Sequence, residues 1–335
     1  MCPLRLTHGQ AWLDLDEIGA MITGAQLICD GTPVRPFFQN PWRDDPRPMD
    51  TLTRHLGGEW PCVPFGGTQP PAGLPRDWKA EGDAAPWHQH AHGFGAHSKW
   101  TLTRQDAHTA TAAIAYPTTS PITRLTRHVS LISETEIALS LTIEARAPIT
   151  LPVGLHPVLS LADAAPGTAQ LRVAGAQTAW TFPQDVEPGA SHLKPDQRAG
   201  ALAALVTAQG SQIDARQLPF AGHSEDLILL PAPAGRVSLA RPDLGHRIDV
   251  SWDDQALPSC LLWLSNRGRA YAPWDSRVCA IGIEPIAAAF DLGVAHSTSP
   301  KSPLAQHGIR TAIDLRTDET WDTSYTISVH SEPKP

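Results

Sequence analysis

Short runs of alternating apolar and polar residues, separated by turn residues, constrain this chain more than any other feature. Residues 137–144, Ile-Ala-Leu-Ser-Leu-Thr-Ile-Glu, alternate with a period of two, which is typical of a half-buried strand. The chain also contains 32 prolines among its 335 residues, about twice the usual ~5%. Because proline interrupts helices and is excluded from central strands, the sequence favours short strands joined by many loops.

Strand candidates recur along the whole chain, without a repeat or a linker between two cores. We therefore predict one all-β domain over residues 1–335, a large and mostly antiparallel β-sandwich with its core at about 10–330. The alanine-rich residues 199–207 predict a short helix, with an alanine-rich turn as the alternative, and the proline- and glycine-rich residues 56–86 predict a long functional loop. The other predicted strands are residues 11–15, 26–29 (after a break at Gly24), 100–103, 111–116, 122–132, 136–145, 170–173, 226–230, 236–240, 247–252, 260–265 and 278–284.

Composition and the absence of certain motifs argue against several classes of function. The formal net charge is −8 without a basic tract, which argues against nucleic acid and anionic membranes as partners. Five cysteines, an odd number without a CxxC pair, argue against a disulfide framework. Because no signal peptide and no apolar run of membrane-spanning length are recognisable, we expect a cytoplasmic protein. The P-loop, GxGxxG and GxSxG motifs are absent, so nucleotide-dependent and serine-hydrolase functions lack their usual signals.

Two residues far apart in sequence are the strongest candidates for chemistry. His156 lies in Gly-Leu-His-Pro and Glu284 in Gly-Ile-Glu-Pro, each at the end of a short apolar, strand-like run. Histidine and a carboxylate are the side chains best suited to move protons near neutral pH. A carboxylate at the end of a buried strand is costly unless it is paired, which favours a functional reason for Glu284. For His156, a hydrogen-bonded core histidine is the alternative.

A histidine-rich segment allows a metal site. On a strand, His88, His90 and His92 would share one face, and three imidazoles could hold zinc or iron. No carboxylate follows at the short spacing of many such sites, so solvated or ligand-binding histidines are the alternative. We therefore predict no metal, and keep a metal-dependent enzyme as a second alternative function.

Other polar residues are weaker candidates for ligand binding. Glu59 and Trp60 lie in a glycine-rich loop that could approach a ligand or form a tight turn. Asp226 opens an apolar run, as a binder of hydroxyl groups or as an ordinary acid at a strand start. Arg54, Arg124 and Arg127 could clamp an acidic or phosphorylated ligand, or lie on solvated surfaces.

Taken in order, these motifs resemble the aldose 1-epimerase, or galactose mutarotase-like, family. The resemblance rests on His92-Gly93-Phe94, Leu155-His156-Pro157, Asp226 before its apolar run, and Gly282-Ile283-Glu284-Pro285 followed by Phe290-Asp291. It spans residues 10–330. It implies a large twisted β-sandwich, mostly antiparallel, with a sugar-binding cleft across one sheet.

The resemblance also implies an activity. Glu284 would take a proton from the anomeric hydroxyl of a sugar and His156 would protonate the ring oxygen, so that the ring opens and recloses as the other anomer. His92 would bind near the ring oxygen and Asp226 would hold ring hydroxyls, without metal or cofactor. The segment Gly57-Gly58-Glu59-Trp60-Pro61 lacks the asparagine–arginine element usual in galactose mutarotases, Val158 replaces an aromatic residue, and Pro285 a small polar one. These departures indicate a divergent branch.

We therefore expect an isomerase of the aldose 1-epimerase type that acts on an aldose or a modified sugar, as a monomer or homodimer. The substrate could be acidic or phosphorylated if Arg54, Arg124 or Arg127 reaches the cleft. Glu59, Trp60 and Arg54 are predicted as additional substrate-binding residues. A carbohydrate-binding β-sandwich without catalytic activity is the first alternative.

Overall fold

Antiparallel strands build almost the whole molecule, which we describe from a computed structural model over residues 3–80, 85–175 and 178–334. The strands are β1 Leu4–His8, β2 Ala11–Leu15, β3 Ile22–Cys29, β4 Thr32–Val34, β5 Pro61–Cys62, β6 Thr101–Arg104, β7 Thr109–Ala115, β8 Ile122–Leu131, β9 Glu136–Ala145, β10 Ile149–Leu151, β11 Val153–Leu155, β12 Val158–Ser160, β13 Ala169–Val173, β14 Ala179–Thr181, β15 Arg198–Ala199, β16 Leu205–Val206, β17 Gln212–Ile213, β18 Gln217–Leu218, β19 Ser224–Pro231, β20 Arg236–Arg241, β21 His246–Trp252, β22 Ser259–Asn266, β23 Cys279–Ala287, β24 Ile313–Leu315 and β25 Thr320–Ser331. The α-helices are short: α1 Thr51–His55, α2 Phe94–His97, α3 Val294–Ser297 and α4 Pro303–Gln306. Single 3₁₀ turns lie at Arg76–Trp78 and Leu202–Ala204.

Two large sheets form the sandwich. The first sheet has the order β15-β14-β19-β22-β23-β11-β5, with β12 also paired to β23. The second sheet has the order β18-β13-β20-β21-β25-β9-β8-β7-β6. A four-stranded sheet, β1 to β4, and the pairs β10-β24 and β16-β17 complete the pairing among the described residues. The predicted all-β, mostly antiparallel sandwich is confirmed.

Each predicted strand overlaps an observed one, and residues 136–145 match β9 in full, with alternate residues buried. Three local expectations were wrong or incomplete. Residues 199–207 form strand ends around a 3₁₀ turn rather than a helix. β3 runs through Gly24 without the predicted break, and the twelve-residue β25, in the middle of the second sheet, was not predicted. Its many threonines and serines hid the alternation of Tyr325, Ile327 and Val329.

The first sheet is apolar on both faces, and this property positions the functional site. One face packs with the second sheet in the main core, through residues such as Ile228, Leu262 and Ile283. The other face carries a second apolar cluster that includes Leu229, Leu261 and several tryptophans from loops and neighbouring strands. A strand covered on both faces reads as a continuous apolar run, which explains the sequence pattern of β22 and β23.

Loops cover the outer face of the first sheet. The predicted long loop, residues 56–86, contains β5 and one 3₁₀ turn, and its residues 81–84 lie outside the described part. Trp78 anchors it, because its Nε1 donates to Asp196 over 2.8 Å and its ring packs edge-on against Phe290. The four described cysteines are buried and free. Within the described ranges, no helix combines the length and the apolar character that crossing a membrane requires.

Candidate active site

A pocket opens on the outer face of the first sheet, within the second apolar cluster. Its volume is about 160 Å³. The walls combine aromatic and aliphatic side chains with a few polar groups, which is typical of small-molecule sites. The lining residues are Leu52, Thr53, Leu56, Trp60, Phe65, His92, His156, Val186, Leu227, Leu261, Trp263, Arg269, Trp274, Glu284 and Asp291.

The structure brings together His156 and Glu284, the two principal candidates. β11 pairs with β23 up to Gly154, and β12 resumes this pairing at Val158 opposite Gly282. His156 lies in the gap between these two short ladders, level with the middle of β23. The two side chains are buried, and His156 Nε2 lies 3.4 Å from Glu284 Oε1.

The glycine of the Gly-Ile-Glu-Pro motif explains how the carboxylate fits. A Cβ atom at Gly282 would lie 2.2 Å from Glu284 Oε1. Successive odd or even residues of a strand share a face, so the carboxylate of Glu284 lies over its neighbour on the same face. Only glycine leaves space there. Gly154 has a related function, since a Cβ at this position would lie 2.3 Å from the pocket residue Phe65.

Burial dominates the electrostatics of this pair. It raises the pKa of Glu284 well above its usual value, and the nearby Asp291 carboxylate raises it further. Burial lowers the pKa of His156 well below its usual value, with His92 as a smaller cause. Neither Nδ1 of His156 nor Oε1 of Glu284 forms a hydrogen bond with a described residue. Buried polar atoms without partners are uncommon in folded proteins, and here they face a pocket that can admit a polar ligand.

Two aromatic neighbours fix the imidazole. Trp60 stacks on His156, with ring centroids 4.0 Å apart and an interplanar angle of 15°. His92 packs edge-on against it at 5.3 Å. The backbone of His92 has a positive φ of 58° and its N–H donates to Gly66 O over 2.8 Å, which turns the ring toward the pocket. Burial lowers the pKa of His92 to about 3, so this ring is neutral at physiological pH.

Glu59 and Arg54 lie elsewhere. Glu59 is fully buried in the main core, where its carboxylate pairs with Arg127 and accepts a hydrogen bond from Tyr325. Arg54 donates to the backbone carbonyls of Asp45 and Arg47, over 2.8 and 2.9 Å, and so holds a neighbouring loop. Neither side chain lines the pocket, so neither position supports the predicted binding of substrate.

Asp226 also points away from the pocket. Alternation along β19 places Asp226 on the core side and Glu225 on the side of Leu227, a pocket residue. The Asp226 carboxylate accepts hydrogen bonds from the backbone N–H groups of His192 and Leu193, over 3.0 and 2.9 Å. Burial raises its pKa to about 6. The geometry therefore favours the alternative interpretation, a structural acid near the start of a strand.

Sequence reasoning gave no ligand-binding role to six polar or aromatic residues of the pocket, which are Thr53, Phe65, Trp263, Arg269, Trp274 and Asp291. Trp263 lies on β22 opposite Gly282, and Trp274, Arg269 and Asp291 come from loops. The alternation of β22 assigns Trp263 to the face of Glu284 once the pairing of the two strands is known. The loop residues carry no periodic signal, so their placement depends on tertiary structure.

The histidine-rich segment does not form a strand, so the premise of the metal hypothesis was wrong. The segment turns at residues 90–92 and continues into α2. His92 lines the pocket, whereas His90 packs against His97 at 5.1 Å. Over residues 3–80, 85–175 and 178–334, no group of three histidine, cysteine or acidic side chains is placed to hold a metal ion.

Comparison with known proteins identifies the fold. No family model and no curated protein matches the chain, but 38 chains of solved structures do. They include a protein from Escherichia coli K12, provisionally described as an aldose 1-epimerase, with a TM-score of 0.65 and 15% identity over 98% of this chain and 99% of that chain. A galactose mutarotase-like protein from Lactobacillus casei has a TM-score of 0.63 and 12% identity, over 98% and 100% of the two chains. An aldose epimerase homologue from C. elegans has a TM-score of 0.59 and 11% identity, over 98% and 99%.

These three structures match along nearly the whole chain, and five further solved structures match it with TM-scores of 0.54–0.64 and identities of 11–15%. The likeness predicted from the ordered motifs is therefore confirmed at the level of structure, and the low identity agrees with a divergent branch. The chain has the galactose mutarotase-like fold.

Proposed function

We propose that this protein is an isomerase of the aldose 1-epimerase type, which interconverts the α and β anomers of a sugar. The observation that carries the proposal is the 3.4 Å separation of His156 Nε2 and Glu284 Oε1 at a pocket with aromatic walls. The anomeric hydroxyl and the ring oxygen are bonded to the same carbon. A catalyst for ring opening therefore needs a proton acceptor and a proton donor within a few ångströms of each other.

The reaction balances with these two groups alone. Glu284 Oε1 takes the proton of the anomeric hydroxyl while the bond between the anomeric carbon and the ring oxygen breaks, leaving an aldehyde. His156 Nε2 gives its proton to the ring oxygen. Rotation about the adjacent C–C bond and reversal of both transfers produce the other anomer. Each positioned proton carrier contributes about 10²–10⁴-fold in reactions of this kind.

The raised pKa of Glu284 and the lowered pKa of His156 fit this cycle. At this buried site, desolvation favours a carboxylic acid beside a neutral imidazole, with one proton shared between the residues. The ionic form, carboxylate beside imidazolium, contains the same proton and is the form needed for ring opening. Sugar hydroxyl groups would stabilise that form through charge-assisted hydrogen bonds.

The aromatic walls support a carbohydrate as the ligand. Trp263 and Trp274 line the pocket, and the C–H groups of a sugar ring can pack against aromatic side chains of this kind. A carbohydrate-binding protein without catalytic activity would use the same walls. The distinguishing observation is the buried acid–base pair, because a binding site gains nothing from a carboxylate whose charge is disfavoured.

Saturation-transfer NMR tests the proposal. The rate of α/β exchange is measured for glucose, galactose, their 6-phosphates, uronic acids and a sulfosugar, with wild-type protein and with Glu284→Gln. We expect faster exchange of at least one sugar and a loss of about 10²–10⁴-fold in the variant. Binding of a sugar without faster exchange would instead establish the carbohydrate-binding function.

A further inference from the structure

Arg269 is the charged residue at the pocket whose surroundings bear on the choice of substrate. Its guanidinium lies over the rings of Trp274 and Trp263, with centroid distances of 4.4 and 5.4 Å. Its Nε lies 3.0 Å from Glu187 Oε1 and 3.7 Å from Glu225 Oε2. The side chain is only 20% exposed. Two tryptophans and two carboxylates thus hold one arginine in a fixed position.

The two carboxylates offset the charge of Arg269. Glu225 is fully buried on the pocket face of β19, where Trp263 Nε1 and Ser265 Oγ donate to it over 3.1 and 2.6 Å. Glu187 comes from a loop and also accepts a hydrogen bond from Tyr271. Arg269 Nε is ion-paired without forming a hydrogen bond with a described residue, and no described residue accepts a hydrogen bond from its two terminal nitrogens. These nitrogens can therefore donate to a ligand without a net positive charge on the cluster.

No other cation replaces the offset charge of Arg269, because Arg269 is the only lysine or arginine among the described residues that line the pocket. Arg127 is buried in the main core, and Arg124 is exposed on the second sheet. The two histidines of the pocket are neutral, because burial lowers the pKa of His92 and of His156. Asp291 and Glu284 line the same walls, and burial raises the pKa of both, so neither adds a positive charge that an anionic ligand could use.

We propose that the cluster of Arg269, Glu187 and Glu225 makes the pocket selective for sugars without an anionic group, with Arg269 as a donor to hydroxyl groups. This inference rests on the proposed function and specifies its substrate class. A carboxylate or phosphate on the sugar would lose its hydration without gaining a cation whose charge is still unpaired, and the Glu187 carboxylate beside Arg269 would repel it, which is a common means of rejecting a wrong ligand. The acidic and phosphorylated sugars that the sequence left open are thereby disfavoured.

Matched ligand pairs test the selectivity. Binding is followed by the fluorescence of the pocket tryptophans, and anomer exchange by saturation-transfer NMR, for galactose against galacturonate and glucose against glucose 6-phosphate. We expect each neutral sugar to bind at least about tenfold more tightly than its anionic partner, equivalent to ~1.4 kcal/mol. Galacturonate is close in size to galactose, so its rejection would not result from steric exclusion.

The variant Glu187→Gln tests whether the Glu187 carboxylate causes the selectivity for neutral sugars. It keeps an amide oxygen beside Arg269 and removes one negative charge, so we expect the ratio of galacturonate to galactose affinity to rise about tenfold. Glu136→Gln, on β9 of the second sheet, removes the same charge far from the pocket and should leave the ratio unchanged. Thermal denaturation is used to check that both variants are folded.

The outcomes separate the two proposals. Tight binding or fast exchange of an anionic sugar by the wild-type protein, or an unchanged ratio in Glu187→Gln, would overturn the inference while leaving the isomerase proposal intact. Selective binding of neutral sugars without faster exchange would support the inference and overturn the isomerase proposal. If none of the four sugars binds, the inference is wrong, and the isomerase proposal is then decided by the other sugars of the NMR panel.

Discussion

Glu59 and Glu284 are both buried, but the side chains around their carboxylates differ. Glu59, in the main core, pairs with Arg127, and both Glu59 and Arg127 bond to Tyr325. Glu284, at the pocket, has a neutral histidine 3.4 Å away and one oxygen without a hydrogen bond to a described residue. A permanent cation beside a buried carboxylate stabilises its charge, whereas a titratable neighbour leaves the proton free to move. The comparison distinguishes a structural carboxylate from one suited to chemistry.

The largest effect is expected at the pocket. His156→Asn keeps a polar side chain but cannot carry the proton, so the rate of anomer exchange should fall about 10²–10⁴-fold. The matched control is His88→Asn. His88 is also buried, its Nε2 forms no hydrogen bond with a described residue, and burial lowers its pKa to about 4, but it does not line the pocket. Equal losses of exchange in folded samples of both variants would contradict the assignment of His156.

In the core, the expected effect is on stability. Glu59→Gln leaves the guanidinium of Arg127 buried without its counter-charge, which costs about 3–5 kcal/mol of unfolding free energy. Urea denaturation measures the loss. A double variant, Glu59→Leu with Arg127→Met, removes both charges and should be more stable than Glu59→Gln. The opposite order would indicate that the shape of this cluster matters more than its charges.

A third buried carboxylate gives a smaller effect. The pKa of Asp226 is raised to about 6, so its folded form binds a proton more tightly than its unfolded form does. Its unfavourable contribution therefore grows as the pH rises from about 4 to 6 and is complete at pH 7. Asp226→Asn keeps an acceptor for the two N–H groups and should stabilise the fold at pH 7 by about 1–3 kcal/mol. The difference should vanish near pH 4, and exchange by the folded protein should not change.

The last effect is a change in the pH dependence of stability at the pocket. The raised pKa of Glu284 makes the wild-type fold lose stability as the pH rises above about 4.5. The lowered pKa of His156 acts in the opposite direction, because stability is lost as the pH falls below 6.5. Glu284→Gln removes the first contribution, so denaturation at pH 5 and pH 8 should show a relative gain for this variant at pH 8. A relative loss at pH 8 would mean that the carboxylate is stabilised in the fold.

Much of the fold was predictable because many of its strands have a recognisable local sequence pattern. Residues 136–145 alternate strictly, and the apolar runs of β22 and β23 match a sheet that is covered on both faces. β25 was missed because threonine and serine occupy many of its positions. The 199–207 segment was misjudged because alanine is common both in helices and in tight turns.

The candidate site was predictable only where residues adjacent in sequence determine the position of the functional side chain. His156 and Glu284 lie beside glycine and proline residues that set the strand ends and the space for the carboxylate. Asp226 was misplaced by one position, and on a strand one position exchanges the pocket face for the core face. Glu59 was misplaced because its partner Arg127 lies 68 residues away in sequence. Arg269 gave no local signal, since long-range packing alone brings its loop to the pocket, and Asp291 was named only within the Phe290-Asp291 motif, without a role.

The most direct test of the account is the ratio of anomer-exchange rates for folded Glu284→Gln and folded Glu59→Gln, measured by saturation transfer with the best sugar substrate. Both variants replace one buried carboxylate by an amide, so the ratio reports on position and not on the chemistry of the substitution. We predict a ratio of about 10⁻² or lower. A ratio near one would contradict the central claim that Glu284, unlike Glu59, moves the proton.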